Sequence, residues 1–92
     1  MGTFQYTIEV GAPNQDTFQE VRVWVDSGAT YSQLPQSLLR GLGHTPTFRR
    51  SFRLADGTVI QRHMCMVAMR LNSEVLTTPC VFGEQGSESL LG

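Results

Sequence analysis

The 92 residues suffice for one domain with a thin core, since a chain of this length buries only about 60–65% of its unfolded surface on folding. A content of 40% hydrophobic and 16% charged residues excludes a disordered chain, and a net charge of -1 leaves no basic footprint for nucleic acid. No apolar run approaches the roughly 18 residues of a membrane span, and Met1-Gly2-Thr3-Phe4 is no leader, so a soluble, unexported, cytoplasmic protein with no membrane partner is expected.

In chain order, Phe4-Gln5-Tyr6-Thr7-Ile8-Glu9-Val10 alternates apolar and polar residues, the period-two mark of a half-buried strand. Gly11 to Asp16 is dense in turn formers, and Thr17 to Val25 follows as a second extended run, which predicts a hairpin. That hairpin ends in Val23-Trp24-Val25-Asp26-Ser27-Gly28-Ala29-Thr30, where an apolar β-branched run stops at a carboxylate. Ser27-Gly28 supplies turn chemistry, so Asp26 is presented at the strand's end. Two readings are open for it: an Asx-turn, with the carboxylate accepting a backbone N–H two residues on, or a chemical role. By itself Asp-Ser/Thr-Gly carries little weight, because average residue usage produces it in roughly 5% of chains this long.

Pro35 suits the first position of a short helix whose Leu38, Leu39 and Leu42 share a face with Leu34, with Gly43 as the C-terminal cap. From Phe48 to Leu71 two long strands flank Ala55-Asp56-Gly57-Thr58, and Asp-Gly between extended runs is a strong hairpin signal. Its arms are polar near the turn, with Arg49, Arg50, Ser51 and Arg53 before it and Gln61, Arg62 and His63 after. The hairpin is therefore expected to project beyond its sheet, as a mobile cover over a groove would.

Met64 to Leu71 reads as a central strand covered on both faces, with Met64, Met66 and Met69 as core filler. Asn72-Ser73-Glu74 turns the chain, Val75 to Phe82 returns with Pro79 at an edge or bulge, and Gly83 to Ser89 is a flexible polar loop before Leu90-Leu91-Gly92. Cys65 and Cys80 are expected as free buried thiols in a chain without an export signal. His44 and His63 stand at no ligand-like spacing and read as solvated or satisfied side chains, so no metal is expected. No Gly-x-Ser-x-Gly marks a serine nucleophile, and no residue pattern requires a cofactor.

Taken in order, the strand into Asp26-Ser27-Gly28-Ala29, the Leu-Pro helix, the Asp-Gly hairpin and the closing Leu-Leu-Gly resemble the retropepsin-like aspartic proteases, single-domain relatives of retroviral protease and pepsin. The match runs over essentially the whole chain, read as one domain, 1–92. The resemblance implies a mostly β fold, a closed β-barrel with one short helix and a flap hairpin. It places the catalytic motif on Asp26, Ser27 and Gly28, and the flap on the hairpin at Asp56-Gly57. The hydrophobic-hydrophobic-Gly element that threads beneath the active-site loop falls on Leu90, Leu91 and Gly92. Substrate contacts are implied for Ala29, Thr30, Asp56, Gly57 and Thr58. In the family a short helix and an interface strand follow that glycine, whereas this sequence stops there, so a weak dimer is expected.

The activity implied is that of an aspartic endopeptidase. One carboxylate is a poor peptidase, but a homodimer brings two copies of Asp26 together across a two-fold axis. One then acts as base toward water while the other, protonated, polarises the carbonyl of an extended peptide substrate. The competing expectation is a non-catalytic retropepsin-like module for dimerisation or peptide binding.

Overall fold

The computed structural model describes residues 3–26 and 28–92. Strands dominate it: β1 (Thr3–Gly11), β2 (Phe18–Asp26), β3 (Ser32–Pro35), β4 (Phe48–Arg53), β5 (Val59–Leu71), β6 (Glu74–Gly83) and β7 (Leu90–Leu91), with the single helix α1 at Gln36–Gly41. The alternation read in Phe4 to Val10 becomes β1, which pairs antiparallel with β2 from Thr3↔Asp26 to Gly11↔Phe18. At the turn, Ala12 N–H donates to the Thr17 carbonyl at 2.9 Å and Gln15 N–H to the Ala12 carbonyl at 2.8 Å. His44 lies buried there, a ring nitrogen 2.7 Å from the Gly11 carbonyl oxygen. It is thus a satisfied side chain.

The strand order is β1-β2-β7-β3-β6-β5-β4, and β1 also pairs with β5 through Glu9↔Arg70 and Val10↔Met69, so the sheet returns on itself as a ring. Inside sit Ile8, Val10, Val21, Val23, Leu34, Leu39, Cys65, Val67, Met69, Cys80 and Phe82. Each inward strand side chain is two residues from the next, as the pleat requires. Helix α1 contributes the fully buried Leu39, with Leu38 and Leu42 packed against the core. Gly43, at φ 101°, closes the helix in the left-handed region as the sequence led one to expect.

Several local expectations need correction. Pro35 is not the first helical residue but the N-cap, because Ser32–Pro35 forms β3, a strand not recognised in the sequence. Its four residues are held non-locally, by parallel pairing to Cys80–Gly83 of β6 and by Gln33↔Leu90 of β7. Met64 and Met69 are core filler, but Met66 is 49% exposed. Strand alternation puts Met66 on the face opposite Cys65, Val67 and Met69, where it borders a cleft lined by Pro13, His44, Thr45 and Thr47. Pro79 does lie at an edge: β3 pairs with β6 only from Cys80 onward, leaving residues 74–79 with β5 alone.

The hairpin projects as expected. Residues 59–63 of β5 pair with β4 alone, since β6 joins only at Met64↔Val81. Its connection is a three-residue loop: Leu54 N–H donates to the Thr58 carbonyl at 2.7 Å, and Gly57 N–H to the Leu54 carbonyl at 2.9 Å. Gly57 takes the left-handed φ of 89° that this loop demands at its last position.

Candidate active site

Three elements converge on the end of β2. The strand carries Asp26 out of the sheet, and β3 takes the chain back at Ser32. Between β2 and β3 runs β7, parallel to β2 through Trp24↔Leu90 and Val25↔Leu91 and antiparallel to β3 through Gln33↔Leu90. The connection from Asp26 to Ser32 must therefore cross over β7. Its fit is close. A methyl group built on Gly92 would stand 2.8 Å from the Tyr31 carbonyl oxygen and 2.9 Å from that of Ala29, closer than nonbonded atoms tolerate. Gly92 N–H in turn donates to Ser32 Oγ at 3.2 Å. Leu90, Leu91 and Gly92 thus pass beneath the Asp26 loop.

Within that loop Asp26 is half-buried, and its Oδ1 accepts the Gly28 N–H at 2.9 Å. Ala29 N–H donates to the Asp26 carbonyl at 3.0 Å, closing a tight turn. The Asx-turn geometry is therefore formed, and it aims one carboxylate oxygen at the loop backbone. This geometry suits both readings of Asp26, because a carboxylate braced by a backbone N–H is also held in one place for chemistry. Ser27 lies outside the described residues. Gly28 and Thr30 are exposed, and Ala29 is half-buried.

The hairpin meets the site along its arm, not at its tip. Tyr31, which follows the loop, packs edge-on against Phe52 of β4, ring centroids 5.7 Å apart at 73°. Phe52 is the register partner of Ile60, so the face turned to the loop carries Phe52 and Ile60 and, two residues on, Arg50 and Arg62. Arg62 reaches Glu84 at 3.1 Å, tying the hairpin to the loop after β6. Asp56, Gly57 and Thr58 are exposed at the tip. There Asp56 Oδ1 accepts the Thr58 N–H at 2.9 Å, and that backbone bond holds its carboxyl below the usual carboxylate range.

A family model described as aspartyl protease matches residues 7–92. The chain belongs to the aspartyl protease family. No curated protein and no solved structure matches it significantly. For an aspartyl protease the arrangement is coherent: one Asp at a strand end on a braced turn, an element crossing beneath it, and a projecting hairpin whose arm packs on the residue that follows the loop. One part of the site was not anticipated. Glu88, exposed in the segment before β7, lines an open cavity together with Trp24, Leu90 and Asp26.

Proposed function

We propose that the chain is an aspartic endopeptidase acting as a homodimer, with Asp26 of each copy forming the catalytic pair. The observation that carries this reading is the Asp26 carboxylate braced by Gly28 N–H on a loop that crosses β7, in a chain matched to the aspartyl protease family over residues 7–92. These 92 residues hold one Asp-Ser-Gly, and in this reading a second copy of the chain supplies the second carboxylate. Apolar surface next to the site suits such an approach: Phe4, opposite Val25 in the β1–β2 register, is 57% exposed beside Tyr6, Leu71 and Leu91. We read the strand ring as the closed barrel that holds the loop rigid.

The chemistry is the known shared-proton scheme of aspartic proteases. Two carboxylates a few ångströms apart hold one proton between them. The ionised Asp26 removes a proton from water as it attacks the scissile carbonyl, and the protonated Asp26 gives its proton to the carbonyl oxygen. Collapse of the resulting diol transfers a proton to the departing amine nitrogen, breaks the C–N bond and returns the pair to its starting state. Gly28, without a Cβ, lets its N–H reach the carboxylate. Ala29 and Thr30 line the substrate's backbone, while Asp56, Gly57 and Thr58 close over an extended peptide and exclude water.

The test is turnover of denatured casein by the parent and by Asp26→Asn, each with and without pepstatin. The amide keeps the shape and the acceptor for Gly28 N–H but neither ionises nor supplies the shared proton. Loss of turnover with an unchanged melting temperature supports the reading. Retained turnover removes Asp26 from the mechanism, and casein uncut by the parent favours a non-catalytic peptide-binding module.

A further inference from the structure

Strand β4 ends the sheet order: it pairs with β5 and with no other strand among the described residues, so one side of it is a free edge. Which residues serve that edge follows from the hairpin loop. Leu54 N–H bonds the Thr58 carbonyl, and bonding and non-bonding pairs alternate along an antiparallel ladder, so Phe52, Arg50 and Phe48 turn their backbone groups to β5. Arg49, Ser51 and Arg53 turn theirs outward. The same three residues are exposed, and their side chains share one face with their register partners His63, Gln61 and Val59. That face holds no acid. Four of the chain's seven basic residues, Arg49, Arg50, Arg53 and Arg62, lie in the hairpin with Asp56 as its one carboxylate, although the chain's net charge is -1. Arg62 is offset by Glu84, while Arg49, Arg50 and Arg53 have no acidic partner among the described residues.

We propose that the free edge of β4 binds an extended acidic segment of a peptide or protein, which adds to the sheet as a further strand beside Arg49, Ser51 and Arg53. The proposal does not require Asp26 to be catalytic. An open strand edge offers hydrogen bonds to any extended chain, so charge decides which chain takes it. A second copy of β4 would set arginines against arginines and is repelled. A neutral strand gains the backbone bonds and leaves the guanidinium groups as they were. An acidic strand gains both. Arg49, Ser51 and Arg53 present N–H and C=O to its backbone, and the Arg49 and Arg53 guanidinium groups, on one face, meet carboxylates placed at every second position. The intervening residues of the added strand lie on the other face, which carries Phe48 and Phe52 on either side of Arg50, and apolar side chains suit them there. The occupant is therefore a strand that alternates acidic and apolar residues. An exposed ion pair strengthens binding by about two- to fivefold, so the pairs to Arg49 and Arg53 together favour the acidic strand over its amide counterpart by about tenfold.

The experiment is a fluorescence-anisotropy titration of a labelled peptide of alternating Glu and Val, and of its Gln and Val counterpart, with the full Asp26→Asn chain so that the probe stays intact. The Glu peptide is expected to bind about tenfold more tightly, by an advantage that shrinks as salt is added. Arg49→Glu and Arg53→Glu, placed in that chain, should each remove most of the advantage. Arg22→Glu makes the same charge change at an exposed residue of β2 and should leave it unchanged. Ser51→Pro deletes an outward N–H without touching a bond to β5, so binding of both peptides should fall while the melting temperature stays close to the parent's. Equal affinity for the two peptides overturns the proposal, as does an equal loss in Arg22→Glu. Undiminished binding by a folded Ser51→Pro overturns strand addition, and a short single-stranded DNA bound as tightly as the Glu peptide would mark a surface for any polyanion. Hydrolysis by Asp26 is read separately, from casein turnover, so either reading can fail alone.

Discussion

Gly92 lies against Tyr31 with no room between them for a methyl group, which would stand 2.8 Å from the Tyr31 carbonyl carbon and oxygen. The atoms it would meet are backbone and cannot swing away as a side-chain tip does. Gly92→Ala must therefore lift the loop that carries Asp26 or push β7 out of its place between β2 and β3. Overpacking of this kind costs about 1–3 kcal/mol. A lowered melting temperature is expected, with turnover falling by more than the fraction of unfolded protein explains, because the carboxylate moves with its loop. Parent-like turnover per folded molecule would mean that the loop's position is not set by Gly92.

Cys65 and Cys80 face each other across the β5–β6 ladder, both buried and both free thiols. Burial pushes the Cys65 thiol up to about 11 and the Cys80 thiol up to about 12, the latter also repelled by its neighbour's charge. In the unfolded chain both titrate near 9.0. The folded state therefore holds protons that the unfolded state has already lost, and stability present below pH 9 is lost as pH rises from there toward 11 to 12. Urea midpoints should fall steeply above pH 9 in the parent and less steeply in a Cys65→Val, Cys80→Val variant. Equal slopes would show that other groups govern alkaline unfolding.

The parts of this molecule legible in its sequence are those encoded locally. Alternation in Phe4 to Val10 marked β1, Asp56-Gly57 marked the hairpin, and the stop at Asp26 marked the end of β2. What escaped is what depends on distant partners. Ser32–Pro35 is too short to show a period and ends in proline, yet it is a strand because β6 and β7 flank it. Met64 and Ala68 share a face of β5 with Met66 and are buried, while Met66 between them opens onto the cleft by Pro13 and Thr45; an apolar run from Met64 to Leu71 cannot reveal which of its residues is left uncovered. Glu88 read as part of a polar loop because its neighbour, Trp24, is 64 residues away in the chain and is brought to it by a two-residue parallel pairing.

The hairpin tip offers a test of its role without disturbing packing. A Cβ on Gly57 meets nothing within 4 Å, but its φ of 89° strains any other residue, by about 1 kcal/mol for Gly57→Ala. Global stability should drop by no more than that, while kcat/KM falls several-fold if closure over the peptide limits the reaction. Unchanged kinetics would remove the tip from the substrate path.

Asp56 gives the same tip a pH dependence of known sign. Its carboxyl lies below the ordinary 3.8 because the ionised form accepts the Thr58 N–H. The turn is thus fully braced above that ordinary value and loses the bond as pH falls through the lowered one. Amide exchange at Thr58 should quicken in strong acid in the parent, whereas Asp56→Asn keeps an acceptor that does not titrate and should show no such step. A step that survives in Asp56→Asn would assign the effect to another group.

The dependence on two chains can be read from mixing. If each active unit needs Asp26 from both copies, inactive Asp26→Asn chains poison the parent chains they pair with. Adding an equal amount of the variant to the parent, at concentrations where pairing is complete, leaves statistically a quarter of the dimers with two carboxylates. The doubled protein then contains about half the original number of active dimers, and activity should fall by about half. Dilution of the parent alone should lower activity per molecule once pairing is lost, because dissociation follows mass action. Sedimentation over the same concentration series provides the independent measure of pairing. Activity unchanged by the variant, and flat on dilution through the range where sedimentation reports monomers, would mean that a single Asp26 carries the chemistry with help from a group other than its own copy.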